Sequence, residues 1–251
     1  MDRMRTPNHS LLLATCLVGF LISKTVHAFM PNPDLLTIYP AVARAGSTVE
    51  VSVKGTDLDE LESLRFSGGK ITSEPVTRAP DEFQPEPARF STTFRVTIPV
   101  DVSPGVYEVR SLGYFGLSTA RPFLVLPADS SEAVIQENCS SQEKAIEIAA
   151  GDGVINLLPS GGFQWYRFDA RKDQRILANV WAERLDSRAD VLLTILDEAG
   201  RELESSRLHF GRDPFVDFVA PADGTYFVTL SDALFGGGRD YFYRLSLSID
   251  P

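Results

Sequence analysis

Hydrophobic and polar positions alternate with a period of two along most of this chain. No segment longer than about ten residues carries the i, i+3, i+4 apolar pattern of an amphipathic helix. In Ser47–Lys54, three valines occupy every second position, and Glu50, Ser52 and Lys54 lie between them. Successive side chains of a strand point to opposite faces, so this pattern predicts a strand with one apolar and one wet face. The segment 94–98 alternates in the same manner, and we predict an all-β protein.

The predicted strands form two groups, which indicate two tandem β-sandwiches. In the first group they are Leu35–Tyr39, Ser47–Lys54, Leu61–Phe66, Phe94–Ile98, Val106–Ser111 and Leu117–Leu126. In the second they are Trp165–Ala170, Arg175–Ala182, Val191–Leu196, Phe215–Val219, Thr225–Leu230 and Tyr241–Ile249. Ser141–Ile148 is expected to form a short helical turn with Ala145 and Ile148 facing inward. The first sandwich is expected to be immunoglobulin-like and the second jelly-roll-like.

The stretch Pro127–Gln136 mixes proline, serine and acidic residues and interrupts the alternation. Such composition is typical of a domain boundary. We therefore predict domains at residues 29–127 and 137–251, joined by a linker at 128–136. Limited proteolysis is expected to cut there first and leave two folded fragments.

Each half contains a Pro- and Gly-bearing turn followed by a tyrosine near the start of a strand. The pairs are Gly105 with Tyr107, and Gly224 with Tyr226. Glycine takes turn conformations that other residues resist, and a tyrosine hydroxyl at such a corner can bond the backbone upstream. We predict a structural role for both tyrosines.

Residues 1–28 have the three-part pattern of an export signal. Two early arginines precede an apolar run from Leu11 to Ile22, and small residues stand at Val26 and Ala28, after which cleavage is expected. The run is shorter than the roughly 18 residues that span a bilayer, so a retained membrane anchor is less favoured. A lipid anchor on Cys16 is also less favoured, because it would leave only about five apolar residues before the cut.

Charge and composition exclude several classes of function. The 251-residue chain has a formal net charge of −10, which disfavours binding to nucleic acid and to anionic lipid. Removing residues 1–28 leaves 21 basic and 33 acidic residues, a net charge of −12, with Cys139 and His209 as the remaining cysteine and histidine. An intrachain disulfide is then impossible, and the material for zinc sites, thiol chemistry or histidine catalysis is scarce. We expect no cofactor.

Two family resemblances follow from separated motifs. Residues 33–126 resemble an IPT/TIG-type immunoglobulin-like module through Ile38-Tyr39-Pro40, Ala45–Val51, Lys54–Leu58 and Ser103–Tyr107. Residues 133–250 resemble the bacterial pre-peptidase C-terminal domain through Trp165–Phe168, Leu193–Asp197, Gly200–Leu203, Pro221–Tyr226 and Gly238–Tyr241. The second resemblance is the more specific, because its motifs occur in the family's order. It implies a secreted, non-catalytic β-sandwich of the kind that is usually appended to exported proteases or other large extracellular proteins.

Some members of the second family bind calcium through an acidic segment at the domain's start and an Asp-x-Asp before the aromatic strand. This chain has Ile135–Ser140 and Gly162–Gln164 at those places, and only Glu137 remains of the expected carboxylates. Calcium takes six to eight oxygen ligands, so the resemblance predicts a degraded site and no bound metal. Asp213 and Asp217 remain alternative ligands from elsewhere in the sequence.

Candidate catalytic features are isolated. His209 stands beside Phe210-Gly211, and neither a Gly-x-Ser-x-Gly elbow nor a His-Glu-x-x-His motif occurs. The Gly-rich segment 235–239 lacks the Lys-Ser/Thr and helix of a phosphate loop, and it is expected to be a flexible hairpin. Asn138-Cys139-Ser140 makes a glycosylation sequon by chance, and the thiol is expected to be buried or paired with another molecule. The acidic residues allow a carboxylate pair for hydrolysis, although most lie at turns or on wet faces.

These observations favour an exported, non-catalytic binding or structural module of the bacterial envelope or extracellular space, which contacts a protein or a polysaccharide. An accessory or inhibitor-like subunit of a secreted enzyme is the alternative, and a carboxylate-dependent hydrolase is the least favoured. Loop residues are the expected contacts, since loops on a rigid scaffold commonly carry binding. The candidates are the acidic loop Asp81–Pro87 and the aromatic residues Tyr114, Phe115, Phe210 and Phe235.

Overall fold

Strands make up nearly all regular structure in the computed structural model, which describes residues 30–77, 91–134, 139–149 and 151–250. The predicted export signal, the loop Asp81–Pro87 and Glu137 lie outside the described residues. The all-β prediction is confirmed. The described residues contain no helix that is long and apolar enough to cross a bilayer.

The described residues of the first sandwich form nine strands in two sheets. They are β1 (Asp34–Tyr39), β2 (Val42–Arg44), β3 (Thr48–Thr56), β4 (Ser63–Phe66), β5 (Thr72–Pro75), β6 (Thr93–Thr97), β7 (Gly105–Gly113), β8 (Gly116–Leu117) and β9 (Arg121–Leu126). One sheet has the order β1-β3-β6-β5, and the other has the order β2-β9-β7-β4 with β8 paired to β7.

In the second sandwich, the part of the chain that the structure describes forms ten strands and two short 3₁₀ helices. The strands are β10 (Glu132–Val134), β11 (Ile146–Glu147), β12 (Gly153–Leu157), β13 (Gln164–Ala170), β14 (Arg175–Trp181), β15 (Val191–Leu196), β16 (Glu202–Ser206), β17 (Phe215–Val219), β18 (Gly224–Asp232) and β19 (Phe242–Asp250). The 3₁₀ helices are Gln142–Lys144 and Glu183–Leu185. The sheet orders are β10-β12-β19-β14-β17 and β11-β13-β18-β15-β16.

Alternation along the strands produces the two cores. Val51, Phe94 and Val96 are fully buried, whereas Glu50 and Arg95 lie on the opposite, exposed face. In the last strand, Tyr243, Leu245 and Leu247 are buried together, as the pattern predicted. A core side chain of this size stabilises the fold by about 1.5–3 kcal/mol when buried.

Both corner tyrosines make the backbone bonds that the sequence predicted. The Tyr107 hydroxyl donates to the Ser103 carbonyl at 2.8 Å, and the Tyr226 hydroxyl donates to the Ala222 carbonyl at 2.7 Å. Each hydroxyl reaches four residues upstream. The shared turn motif is therefore structural in both halves.

Three local expectations need correction. The segment Leu117–Leu126 is two strands, because the Ser118 hydroxyl accepts a bond from the Ser111 N–H at 2.9 Å and interrupts the run. Strand β12 lacks alternation because four of its five residues are buried, so the sequence pattern missed it. Part of the predicted linker, Glu132–Val134, is strand β10, and the Glu132 carboxylate pairs with Arg244 of β19.

The two sandwiches meet through apolar side chains. The buried cluster of the first sandwich also includes Ile155, Leu185 and Phe242 of the second. The rings of Tyr39 and Phe242 have centroids 6.0 Å apart. From Asn32 onwards the described residues form one compact unit, although the predicted domain division remains a prediction.

Cleft between the two sandwiches

A cleft of about 570 Å³ lies where the outward face of the β1-β3-β6-β5 sheet meets turns of the second sandwich. The first sandwich contributes Tyr39, Pro40, Glu50, Ser52 and Thr93. The second contributes residues 156–160, Gln164 and the Gly238-Arg239 pair. We refer to this feature as the inter-sandwich cleft.

Strand register brings the side chains of the first wall together. Tyr39 pairs with Ser52 across β1 and β3, and Ser52 pairs with Thr93 across β3 and β6. Directly opposed residues share a face of a sheet, so the three side chains lie side by side. Glu50 pairs with Arg95 on the same face, and their side chains form an ion pair at 3.1 Å. The face that the sequence assigned to solvent is therefore one wall of the cleft.

Tyr39 carries an unsatisfied hydroxyl. The residue is only 8% exposed, and among the described residues its hydroxyl has no hydrogen-bond partner. Burial raises the pKa of Tyr39 to about 12, so the phenol is neutral at physiological pH. A buried polar group without a partner costs about 1–3 kcal/mol. The Tyr39 hydroxyl is thus a buried donor whose hydrogen-bonding capacity is unused among the described residues.

Beneath the lining residues Asn156 and Gln164 lies a buried, hydrogen-bonded polar network, which we call the floor of the cleft. The Asn156 amide donates to the Tyr166 hydroxyl at 3.1 Å, and the Tyr166 and Tyr243 hydroxyls are hydrogen-bonded to each other. Burial raises the pKa of both tyrosines well above the usual value. These three polar side chains are hydrogen-bonded to one another. The Tyr39 hydroxyl, in contrast, has no partner among the described residues.

Cys139 belongs to the same floor. Its thiol donates to the Gln164 side-chain carbonyl at 2.7 Å, and the Gln164 amide donates to the Leu157 carbonyl at 2.9 Å. Cys139 is completely buried. Of the two expectations for this thiol, burial agrees with the structure, and the residue ties the chain before β11 to strand β13.

The turn 232–237 directly precedes the lining residues Gly238 and Arg239, and we call it the rim turn. It is fixed by one buried carboxylate. Asp232 accepts hydrogen bonds from the N–H groups of Leu234 at 3.0 Å, Gly236 at 2.8 Å and Asp190 at 2.8 Å. A Cβ atom on Gly237 would lie 2.2 Å from the backbone nitrogen of Ser160, so only glycine allows the two turns to pack this closely. The sequence predicted a flexible hairpin here, and the structure has a turn held by specific bonds.

Arg239 follows this turn at the mouth of the cleft. Its side chain is exposed, and within the described ranges its guanidinium has no ion pair or hydrogen bond. The next residue, Asp240, is paired with Lys54 of the first sandwich at 2.9 Å. Among the described residues, Arg239 and Arg188, whose charge also acts on Asp240, are cations near the mouth without an ion pair.

The other candidate residues lie apart from the cleft. The exposed His209 ring packs against Phe210, with ring centroids 4.5 Å apart, and against Phe215 at 5.1 Å. Tyr114 and Phe115 contact each other edge to face at 5.0 Å. Of the predicted loop aromatics, only Phe235 lies on the rim turn, where its carbonyl accepts a bond from the Gly161 N–H at 3.1 Å.

The alternative calcium ligands are engaged in other contacts. The buried Asp213 carboxylate accepts the N–H groups of Ala182 and Glu183 and the Arg184 guanidinium at 2.6 Å. Asp217 pairs with Arg175. In the part of the chain that the structure describes, no three His, Cys, Asp or Glu side chains cluster to hold a metal ion. Since Glu137 lies outside that part, the degraded calcium site stays a prediction.

No protein-family model matches the chain, and no curated protein is similar to it in sequence. Several solved structures are similar in fold. The pre-peptidase C-terminal domain of a collagenase from Bacillus anthracis is 16% identical over 41% of this chain and 94% of that domain, with a TM-score of 0.35. PliG from Aeromonas hydrophila, a periplasmic inhibitor of g-type lysozyme, is 9% identical over 48% of this chain and 96% of its own, with a TM-score of 0.32. SGBP-B from a mixed-linkage glucan utilization locus of Bacteroides ovatus is 10% identical over 76% and 71%, with a TM-score of 0.27. With identities of 9–16% and TM-scores of 0.27–0.35, these matches carry no argument about this chain.

Proposed function

We propose that this chain is an exported, non-catalytic binding protein that holds a segment of polysaccharide in the inter-sandwich cleft. The observation that carries the proposal is the Tyr39 hydroxyl, which is buried in the cleft wall without a partner among the described residues. Native proteins seldom leave such a group unpaired, because its desolvation is not compensated. A ligand oxygen in the cleft supplies the missing acceptor.

The chemistry of the lining supports a sugar as the occupant. Ser52, Thr93 and Ser160 bring hydroxyl groups to the walls, and Tyr39 adds an aromatic ring. Sugars present many hydroxyl groups together with apolar ring faces, which match neutral donors and acceptors beside an aromatic side chain. A volume of about 570 Å³ lies within the usual range for ligand sites.

The carboxylate inventory of the cleft supports binding without hydrolysis. Glycosidases of the common type use two carboxylates that flank the scissile bond. Among the described lining residues Glu50 is the single carboxylate, and it is engaged by Arg95 at 3.1 Å. The proposal therefore assigns the cleft no catalytic step.

Export and domain organisation belong to the same proposal. Residues 1–28 have the export pattern, so the mature chain begins at Phe29 and resides in the periplasm, on the cell surface or in the medium. Residues 29–127 form the IPT/TIG-like domain and residues 137–251 the pre-peptidase C-terminal-like domain. The cleft needs no calcium, and equal melting temperatures in calcium and in chelator are the expected result.

A cleft-filling variant with a matched control tests the proposal. Thr93→Trp places an indole in the cleft, whereas Thr97→Trp changes the same strand and face outside it. We expect calorimetry with a panel of neutral and acidic oligosaccharides to detect binding by the wild type and by Thr97→Trp, and to lose it in Thr93→Trp. Absence of binding to every oligosaccharide, or unchanged binding by Thr93→Trp, would contradict the proposal.

A second candidate function is an accessory or inhibitor-like subunit that contacts a secreted enzyme through the rim turn. Leu234 and Phe235 are 76% and 75% exposed at its tip, and Phe235 has a positive φ of 61°. Large apolar side chains held in a fixed, uncommon conformation suit an anchor for a protein partner. A partner captured by the wild type and by the exposed control Leu208→Ser, yet lost with Leu234→Ser/Phe235→Ser, would favour this function.

A further inference from the structure

We infer that the polysaccharide held in the cleft carries carboxylate groups, and that Arg239 selects for them. The inference rests on the proposed function, because it names the ligand class of the same cleft. The Arg239 guanidinium has no ion pair among the described residues, whereas Glu50 and Asp240 beside the cleft are both paired.

The backbone around Arg239 is fixed on both sides. The Gly238 N–H donates to the Leu158 carbonyl at 2.9 Å. The Asp240 carboxylate accepts bonds from the Thr37 hydroxyl and the Lys54 ammonium, each at 2.9 Å. The chain thus carries the guanidinium at the mouth of the cleft from a rigid base, while the guanidinium itself has no partner among the described residues.

The local charge balance favours one anionic group. Glu50 is neutralised by Arg95, and Asp240 is neutralised by Lys54. Among the described residues, Arg239 in the lining and Arg188 near Asp240 have no ion pair, so the balance of the described charges there is positive. The five donors of the Arg239 guanidinium match a carboxylate in bidentate geometry, which a neutral sugar hydroxyl cannot reproduce.

The overall charge of the chain limits this preference to sparse carboxylates. A formal net charge of −10 repels a dense polyanion. Charges farther away than about 8 Å are largely screened at physiological salt, so the paired groups, Arg188 and Arg239 dominate at the mouth. A polysaccharide with occasional uronic acid units offers a carboxylate to Arg239 and avoids the repulsion that a dense polyanion would meet.

Tyr39 and Arg239 then have different roles. The Tyr39 hydroxyl comes from the first sandwich and donates to any ligand oxygen, charged or neutral. The Arg239 guanidinium comes from the second sandwich and stabilises a bound carboxylate more than a neutral sugar hydroxyl. Selectivity for acidic sugars should therefore depend on Arg239, whereas affinity for all sugars should depend on Tyr39.

The test uses oligosaccharides of several linkages, each supplied in a uronic acid form and in its carboxyl-reduced form. We expect the wild type to bind at least one uronic acid form at least about tenfold more tightly than its reduced counterpart, because a charged hydrogen bond contributes that much. Arg239→Gln should remove the preference and keep binding to the reduced form. Arg65→Gln, which removes an equally exposed charge on β4 outside the cleft, should keep the preference.

The outcomes separate the inference from the proposed function. Equal binding of both forms by the wild type, or a preference that survives Arg239→Gln, would overturn the inference and leave the cleft as a sugar site. Absence of binding to all oligosaccharides would overturn the proposed function and the inference together. A preference that falls as salt is raised would further support the role of the guanidinium.

Discussion

The Thr37 hydroxyl donates a 2.9 Å hydrogen bond to the Asp240 carboxylate, although 203 positions separate the two residues. Lys54 donates to the second oxygen of the same carboxylate at 2.9 Å. Asp240 thus joins strands β1 and β3 of the first sandwich to the turn before the last strand of the second. The hydrogen bond from Lys54, together with the one from Thr37, holds the pKa of Asp240 below its usual value.

Replacing Asp240 should weaken the contact between the sandwiches. Asp240→Ala removes two hydrogen bonds, and we expect the free energy of unfolding to fall by about 1–2 kcal/mol at neutral pH. The control Asp101→Ala breaks the exposed Lys70–Asp101 pair and should change the free energy of unfolding much less. Urea unfolding measures the change in the free energy of unfolding for both variants.

The lowered pKa of Asp240 sets the pH dependence of that difference. The carboxylate contributes stability that is fully present above its unfolded pKa of about 3.9 and is lost as pH falls through the lower folded pKa. The gap between wild type and Asp240→Ala should therefore close in acid. A gap that persists unchanged below both pKa values would contradict this assignment.

The sequence predicted two separable fragments, but the shared core favours a single unfolding transition of the two sandwiches, because Ile155, Leu185 and Phe242 pack into the core of the first. Both tryptophans of the chain, Trp165 and Trp181, lie in the second sandwich. Trp181 packs against the cluster of the first sandwich, whereas Trp165 packs against Phe227 of the second. Fluorescence of a Trp181→Phe variant therefore reports the second sandwich, while circular dichroism reports both. We expect coincident denaturation curves, and a separate fluorescence midpoint would show independent domains.

Removing either corner hydroxyl should cost stability without affecting sugar binding. Tyr107→Phe and Tyr226→Phe each delete one bond to a backbone carbonyl, so the free energy of unfolding should drop by about 0.5–1.5 kcal/mol. Thermal unfolding measures the loss of stability, and calorimetry measures whether sugar binding is unchanged. Full stability in both variants would show that the bonds contribute nothing.

Buried phenols should make the protein sensitive to strong alkali. Burial raises the pKa of Tyr39 from 10.0 to about 12, and it also raises those of Tyr166 and Tyr243. A raised pKa contributes stability that is present below the unfolded value and is lost as pH rises through the folded value. Between pH 10 and 12, Tyr39→Phe should lose less stability than the wild type, and parallel pH profiles would contradict this.

The sequence predicted the features that depend on neighbouring residues. Alternation identified Val51, Phe94 and Val96 as core positions, and the turn motif identified the hydroxyl bonds of Tyr107 and Tyr226. These predictions succeeded because strand faces and tight corners are set by residues a few positions apart.

The cleft could not be predicted in this way. Ser52 and Thr93 have the polar pattern of a solvent-exposed face, and the opposite wall begins at Asn156, in the other sandwich. The missing partner of Tyr39 is likewise a property of the assembled walls, for which the local sequence carries no signal. Fixation of the rim turn by Asp232 was missed because its Gly-rich sequence is also typical of flexible hairpins.

Tyr39→Phe, measured by calorimetry with a bound oligosaccharide and by thermal unfolding, tests whether the Tyr39 hydroxyl donates to a sugar in the cleft. An unpartnered hydroxyl contributes no internal bond, so its removal should leave the melting temperature equal or higher while affinity falls about tenfold. Ser63→Ala, which removes another unpartnered buried hydroxyl outside the cleft, should leave affinity unchanged. Unchanged affinity in Tyr39→Phe, or a clear loss of stability without ligand, would show that the Tyr39 hydroxyl is not a donor reserved for a bound sugar.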